Sequence, residues 1–183
     1  MSETAEALAA NQKSRRNVTI EITNNTKNFC LLDPKVFLES GNCHSPPQPI
    51  VRPQKTEVCN FSKTSAATSG AVGVLTYDVI KRGNKSATEK IAIMFSVPYD
   101  YNLYKNWVAV GIFELGRECN EDLYKEMYYK NRDNFVREEA KGCCISYSGG
   151  ELEVMCTMSP MGRAIMKVEL WDKSFFSQSQ HPF

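Results

Sequence analysis

The sequence predicts a mainly β (α+β) protein, a compact β-sandwich flanked by one or two short α-helices. Many short segments alternate apolar and polar residues or are rich in β-branched residues, which is typical of strands. One segment has the period of an amphipathic helix. The 183 residues suffice for one domain with a real hydrophobic core and are too few for two comfortable ones.

The first half of the chain predicts extended structure. Residues 17–23 (NVTIEIT) alternate strictly, which predicts a half-buried strand. Residues 29–41 are also extended, with an interruption at Asp33-Pro34. The four prolines of residues 43–53 predict a loop or a sheet edge, because proline has no backbone N–H to donate.

A hairpin and several strands follow. Residues 70–80 form a glycine-punctuated strand with close backbone approach at Gly70 and Gly73. This strand pairs with residues 91–97 across a long loop. Further strands are predicted at residues 107–115, 142–148, 151–158 and 164–171.

The helix is predicted within residues 119–131. Asn120 is a favourable N-cap, and Glu121 and Asp122 complement the helix dipole in the first turn. Two pairs lie one helical turn apart: Leu123 with Met127, and Tyr124 with Tyr128.

The chain divides into three parts. Residues 1–16 form a short N-terminal segment, helical or flexible, with Ala5 and Leu8 among its few apolar residues. Residues 17–173 form the β-sandwich domain. Residues 174–183 form a C-terminal tail that the pattern does not place.

Composition limits the function. A formal net charge of +1 and a basic strip of three residues, Lys13, Arg15 and Arg16, predict no nucleic-acid partner. No apolar signal region and no transmembrane run is visible, so the sequence alone predicts a cytoplasmic protein. Seven cysteines, an odd number, favour reduced thiols.

An enzyme is not predicted, and neither a cofactor nor a metal is expected. The histidines are His44, in the proline-rich segment, and His181, close to the C-terminus. No Cys-x-x-Cys pair gives metal-site spacing. A thiol-dependent enzyme using Cys143 or Cys144 stays as a minor alternative.

Aromatic residues are concentrated where the strand 91–97 ends. The stretch MFSVPYDYNLYKNWVAV carries five rings within thirteen positions, and the predicted helix adds three tyrosines. Tyrosine and tryptophan suit a membrane interface, and several rings around a pocket attract a quaternary ammonium. The alternative is that these rings pack the core and its covering helix.

Three segments resemble the signature segments of the actinoporins, the sea-anemone pore-forming cytolysins. They are SGAVGVLTYDV, IAIMFSVPYDYNLYKNW and LYKEMYY, in the order and at the spacing of that family. The resemblance covers roughly residues 17–171 and is dense over 69–129. It implies a β-sandwich with two flanking helices, an architecture also found in fungal fruit-body lectins.

The resemblance further implies a phosphocholine headgroup site that prefers sphingomyelin. Matched by motif, the site consists of Ser40, Val72, Ser96, Pro98, Tyr104, Tyr124, Tyr128 and Tyr129. Tyrosine faces hold the trimethylammonium group, and hydroxyls of Ser40 and a tyrosine donate to phosphate oxygens. The membrane-interface residues are Trp107, Tyr99, Tyr101 and Leu103.

The sequence departs from the family at several points. Leu103 stands where the family has a tryptophan, which weakens interfacial anchoring. Glu39 stands where the family has an arginine, and its carboxylate repels a phosphate if it points the same way. The sixteen residues before the first strand span about 24 Å as a helix, less than the roughly 30 Å hydrocarbon core.

Two functions therefore stay open. The first is a membrane-binding protein that recognises phosphocholine lipids such as sphingomyelin and oligomerises on the membrane into cation-conducting, cytolytic pores; this implies secretion or a target-cell membrane. The second is a non-lytic lectin-like or small-ligand-binding module in the cytosol. The first predicts that Tyr124 and Tyr128 are needed for lipid binding.

Overall fold

The computed structural model describes residues 3–174. Within them the helices are α1 (Ala5–Ala10) and α2 (Glu121–Tyr129). The strands are β1 (Asn17–Asn24), β2 (Phe29–Ser40), β3 (Asn42–Ser45), β4 (Ile50–Val51), β5 (Lys55–Ser62), β6 (Ala71–Lys81), β7 (Glu89–Val97), β8 (Trp107–Glu114), β9 (Phe135–Glu139), β10 (Ile145–Gly149), β11 (Leu152–Met158) and β12 (Arg163–Asp172).

The strands form two sheets that pack face to face, as predicted. Sheet I has the order β10-β11-β12-β1-β5-β3, and sheet II has the order β4-β2-β6-β7-β8-β9. Only β1 and β12 pair in parallel among the described strands, and the other pairs are antiparallel. Between the sheets lies the main core, where Phe61 of sheet I stacks on Phe95 of sheet II at 5.0 Å between ring centroids.

Strand β1 is more deeply buried than its alternation predicts. Val18, Ile20 and Ile22 face the core, as expected. Thr19, on the opposite face, is also fully buried. It accepts a hydrogen bond of 2.8 Å from Asn60 of β5. The prediction of a half-buried strand was therefore wrong for the first half of β1, because α1 packs over this face of sheet I.

Strands β6 and β7 form the predicted hairpin, and its glycines lie where backbones approach closely. A Cβ atom on Gly70 would stand 1.8 Å from the carbonyl oxygen of Val97, and one on Gly73 would stand 2.3 Å from that of Phe37. Neither position has room for a side chain, which confirms the predicted close approach.

Helix α2 packs on the outer face of sheet II. The Asn120 side chain accepts from the backbone N–H of Leu123 at 3.1 Å, which confirms the predicted N-cap. Leu123 and Met127 are fully buried in a second cluster with residues of β6, β7 and β8. The α2 tyrosines are thereby held over one end of sheet II.

Several boundaries differ from the sequence prediction. The proline-rich segment supplies β3 and β4, which lie at the edges of the two sheets as proline content favours. Strands β5 and β9 were not predicted. The strand predicted over 142–148 begins only at Ile145, because Cys143 and Cys144 precede it in an exposed loop. Residues 175–183 of the predicted tail, with His181, lie outside the described residues.

Candidate functional site

A row of paired residues crosses one end of sheet II. Ser40 pairs with Val72, Val72 with Ser96, and Ser96 with Trp107. Glu139 of β9 pairs with Trp107 and completes the row. Directly paired residues of neighbouring strands point to the same face, and Val72 and Trp107 pack against the cluster under α2. Four positions scattered over residues 40–107 therefore lie side by side below α2.

The tyrosines of α2 form a graded array above this row. Tyr124 lies 6.2 Å from Phe37 and 5.7 Å from Tyr128 between ring centroids. Tyr129 meets Tyr128 edge to face at 4.7 Å. Tyr124 is buried, Tyr128 is half-buried and Tyr129 is exposed. The array thus leads from the core to the solvent.

Tyr128 connects the helix to the row. Ser96 and Tyr104 both lie close enough to its hydroxyl to affect its ionisation. Burial, followed by the neighbouring Tyr129, raises the pKa of Tyr128. Burial likewise raises the pKa of Tyr124. Both hydroxyls therefore stay protonated at neutral pH and can act as hydrogen-bond donors.

Arg137 of β9 contacts both the tyrosine array of α2 and the row of paired residues below it. Its Cζ lies 3.9 Å from the centroid of the Trp107 ring and 5.7 Å from that of Tyr128. Its Nε donates to the backbone carbonyl of Tyr128 at the end of α2. The half-buried guanidinium thus lies between two rings of the site and carries its positive charge.

The aromatic turn, residues 98–106, joins β7 to β8 and is not extended. The Asp100 side chain accepts from the backbone N–H of Asn102 at 2.8 Å. The Tyr101 hydroxyl donates to Asn106 at 2.7 Å, and Asn106 donates to two carbonyl oxygens of the loop between β11 and β12, at 3.0 and 2.9 Å. These bonds hold the turn to both sheets.

The predicted interface residues divide by exposure. Leu103 is 71% exposed, Tyr104 56% and Tyr99 44%, and they form the projecting tip of the aromatic turn. Tyr101 is half-buried and its hydroxyl is bonded inward. Trp107 is half-buried beneath Arg137 at the start of β8. The solvent-facing apolar surface is therefore carried by the tip.

Arg16 supports the base of the aromatic turn. Its Nε donates to the carbonyl oxygens of Pro98 and Tyr99, each at 3.0 Å. Its Cζ lies 4.6 Å from the centroid of the Tyr101 ring. Pro98 itself is buried at this base and contributes a carbonyl to Arg16.

The β2 end of the row contains Ser40 and, next to it, the acidic residue Glu39. The Ser40 hydroxyl donates to the carbonyl oxygen of Gly70 at 3.3 Å. Glu39 is the extra residue of a β-bulge in β2, and its side chain is exposed. Burial is the main cause of the raised pKa of Tyr124, and the bond to Glu121 is the main cause of the raised pKa of Lys125. The charge of Glu39 adds to both, so its carboxylate lies beside α2.

The structure thus brings Ser40, Val72, Ser96 and the α2 tyrosines into one region, with Tyr104 beside them and Pro98 at the base of the turn. Sequence reasoning missed Arg137, because the strand that carries it was not predicted. It also assigned Arg16 only to a basic strip, although the contacts of its guanidinium fix the turn.

The remaining expectations from the sequence concern cysteines, metals and membrane-spanning segments. All seven cysteines lie within the described residues and are free thiols. Residues 3–174 bring together no group of three metal-ligating side chains. In the same residues, neither helix has the length and apolar content to cross a bilayer.

The fold and the site together define a class of protein: a β-sandwich that presents aromatic side chains at one end, next to a helix-borne tyrosine array. Comparison with known proteins identifies the family. The model of the sea anemone cytotoxic protein family matches residues 5–172, and the chain belongs to that family. This confirms the resemblance to the actinoporins and assigns the protein to a family of cytotoxins and not of enzymes.

Similar proteins include DELTA-stichotoxin-Hcr4a of Radianthus crispa, 34% identical over 106 residues that cover 56% of this chain and 53% of the toxin. DELTA-alicitoxin-Pse1b of Phyllodiscus semoni is 45% identical over 62 residues, 34% of this chain and 25% of that protein. The chain thus aligns with about half, or less, of the length of these relatives.

Among solved structures, the lipid binding protein Nakanori has a TM-score of 0.68 and 14% identity, over 91% of this chain and 75% of its own. At this identity the likeness shows the fold alone.

Proposed function

We propose that this protein binds the phosphocholine headgroup of sphingomyelin-type lipids at the tyrosine array, and that on target membranes it oligomerises into cation-conducting, cytolytic pores. The observation that carries the first half is the convergence of Ser96, Tyr104 and Tyr128 beside the projecting tip of the aromatic turn. Family membership carries the second half, since the members are cytotoxic proteins.

Aromatic faces provide the choline half of the site. A quaternary ammonium within about 6 Å of a tyrosine ring gains roughly 0.5–2 kcal/mol, depending on desolvation. Tyr104 and Tyr129 are exposed and Tyr128 is half-buried, so these rings are accessible to a headgroup. Tyr124 supports them from below, because it is buried against Phe37 and Tyr128.

Polar groups provide the phosphate half. The Tyr128 hydroxyl lies close to Ser96, and burial keeps the phenol protonated. A phosphate oxygen arriving between them accepts from hydroxyls that are positioned in advance. Glu39 acts against this at the edge of the site, where a carboxylate raises the cost of binding an anion.

The tip of the aromatic turn makes the bilayer contact. Leu103 and Tyr104 are among the most exposed large hydrophobic side chains of the described residues. Burying a leucine side chain contributes about 1.5–3 kcal/mol, and tyrosine is suited to the headgroup level. Because Asp100, Tyr101 and Asn106 hold the turn, this surface is ordered before the membrane is met.

Vesicle experiments test the proposal. We expect the protein to co-sediment with vesicles that contain sphingomyelin and to release an entrapped dye from them. Tyr104→Ala removes an exposed ring and should weaken binding by about 2- to 30-fold, which corresponds to the 0.5–2 kcal/mol of one cation–π contact. Tyr128→Phe removes only the hydroxyl at the site and should also weaken binding.

Tyr147→Phe is the matched control, because Tyr147 is half-buried on β10 of sheet I. Equal effects of Tyr128→Phe and Tyr147→Phe would contradict a role of the Tyr128 hydroxyl in headgroup binding. Binding without dye release would refute pore formation and leave the headgroup site. Absence of vesicle binding together with binding to a glycan array would favour the lectin-like alternative.

A further inference from the structure

A depression separate from the tyrosine array lies beside the aromatic turn. It has a volume of about 890 Å³ and is bounded by residues 11–16, by β3, by the start of the loop after β5 and by residues 99–102 of the turn. We call it the cationic groove, after Lys13, Arg15, Arg16 and Lys63 in its lining. None of the predicted phosphocholine residues lines it.

The groove concentrates positive charge that the whole chain does not have. Four cationic side chains and one carboxylate, that of Asp100, are found in its lining, while the formal net charge of the chain is +1. Asp100 is partly engaged within the turn, since it accepts from the backbone N–H of Asn102. The basic strip seen in the sequence is therefore part of a larger cluster that the fold completes with Lys63 of a distant segment.

The charges of the groove are available to a ligand. Lys13 and Arg15 are exposed, and no carboxylate of residues 3–174 forms an ion pair with either of them or with Lys63. The Lys63 ammonium donates to the carbonyl of Thr64 at 3.0 Å and lies 5.9 Å from the Tyr99 ring. Arg16 is held by the turn and still contributes its charge.

Polar groups accompany the charges. Ser65 and Asn42 are exposed in the lining of the groove, and hydroxyls and amides donate to phosphate oxygens. Such a surface does not favour the binding of a choline group, because its cation is repelled by lysine and arginine. The lining is suited to a phosphate-bearing anion.

We propose that the cationic groove binds the phosphate-bearing headgroups of anionic lipids, beside and independently of the tyrosine array. The inference rests on the membrane contact proposed for the aromatic turn and not on phosphocholine recognition. Tyr99 belongs both to the exposed tip and to the groove, so a membrane that meets the tip brings its headgroup layer to the groove. The protein then has two lipid contacts of opposite preference.

The test compares phosphatidylcholine vesicles with and without phosphatidylserine, in the absence of sphingomyelin, at low and near-physiological salt. We expect phosphatidylserine to strengthen binding and salt to weaken this gain. A lysine near an anionic surface contributes about a 5-fold gain in affinity, so Lys13→Gln with Lys63→Gln should reduce the phosphatidylserine gain by about 25-fold.

Lys27→Gln with Lys85→Gln is the matched control. Both lysines are exposed and lie in turns at the other end of the sandwich, about 30 Å away along the nine residues of β7. The same charge is removed, but far beyond the screening length of about 10 Å. Equal losses in the two double variants, or no gain from phosphatidylserine in the unmodified protein, would overturn the proposal.

Two further arms separate the sources of phosphate and the two proposals. Inorganic phosphate, followed by the backbone amide shifts of Lys13 and Lys63, should give no saturable change at low millimolar concentration. Saturation without any phosphatidylserine gain would assign the groove to free phosphate and overturn the lipid assignment. Sphingomyelin vesicles should bind both double variants as they bind the unmodified protein, so loss of phosphocholine binding alone leaves the groove proposal standing.

Discussion

Replacement of Arg137 by alanine should loosen α2 and the tyrosine array together. The guanidinium lies 3.9 Å from the Trp107 ring and donates to the carbonyl at the end of α2. A cation–π contact contributes about 0.5–2 kcal/mol, and a hydrogen bond from a charged donor about 1.5–3 kcal/mol. Because Arg137 is half-buried, we discount the sum and expect a loss of about 2 kcal/mol in the free energy of unfolding.

Urea denaturation followed by tryptophan fluorescence measures this loss, and a thermal scan should show a midpoint lower by about 4–8 °C. Arg137→Lys keeps the charge but has no planar group to stack, and should restore only part of the stability. Arg132→Ala is the control: Arg132 is exposed, with a loose 3.6 Å ion pair to Glu126, and should cost less than about 0.5 kcal/mol. If Arg137→Ala costs no more than Arg132→Ala, the stacking has no energetic role.

Three further predictions concern the fold. Gly73→Ala should lower the free energy of unfolding, measured by urea denaturation, by at least about 2 kcal/mol, because the new Cβ would meet a backbone oxygen at 2.3 Å. Gly116→Ala is the control and should be neutral, since a Cβ there has open space. Equal effects of the two substitutions would refute the close approach at Gly73. Burial raises the thiol pKa of Cys59 and Cys156. Iodoacetamide should therefore label the exposed cysteines in the native protein, and Cys59 and Cys156 only after unfolding. Rapid labelling of Cys59 or Cys156 in the native protein would contradict their burial. Burial also raises the pKa of Tyr124; the unfolded chain then loses this proton first, so stability should fall as the pH rises above about 10, and a flat profile to higher pH would argue against it.

The sequence was informative where local pattern and tertiary role agree. The N-cap at Asn120 and the close approach at Gly70 and Gly73 each have a local physical reason that needs no partner to be known. The hairpin of β6 and β7 and the edge position of the proline-rich segment were predictable for the same reason. Motif resemblance supplied the members of the tyrosine array and of the row below it. The row itself is assembled by long-range strand register.

Other features depend on partners that are distant in sequence. Strand β5 was missed because its outer face is covered by the N-terminal segment, so Asn60 and Ser62 are polar yet buried and the alternation is obscured. Strand β9 is only five residues long and largely polar, so Arg137 carried no signal. The cationic groove joins residues 13–16 with Lys63, a proximity that only the pairing of β1 with β5 creates.

A titration of the free protein with phosphocholine, followed by amide and aromatic shifts in two-dimensional NMR, tests the headgroup site most directly because it needs no membrane. We predict saturable shifts at Ser96, Tyr104 and Tyr128, and none with inorganic phosphate at the same ionic strength. The absence of saturable shifts, or shifts confined to the cationic groove at Lys13 and Lys63, would contradict the assignment of the tyrosine array as a phosphocholine site.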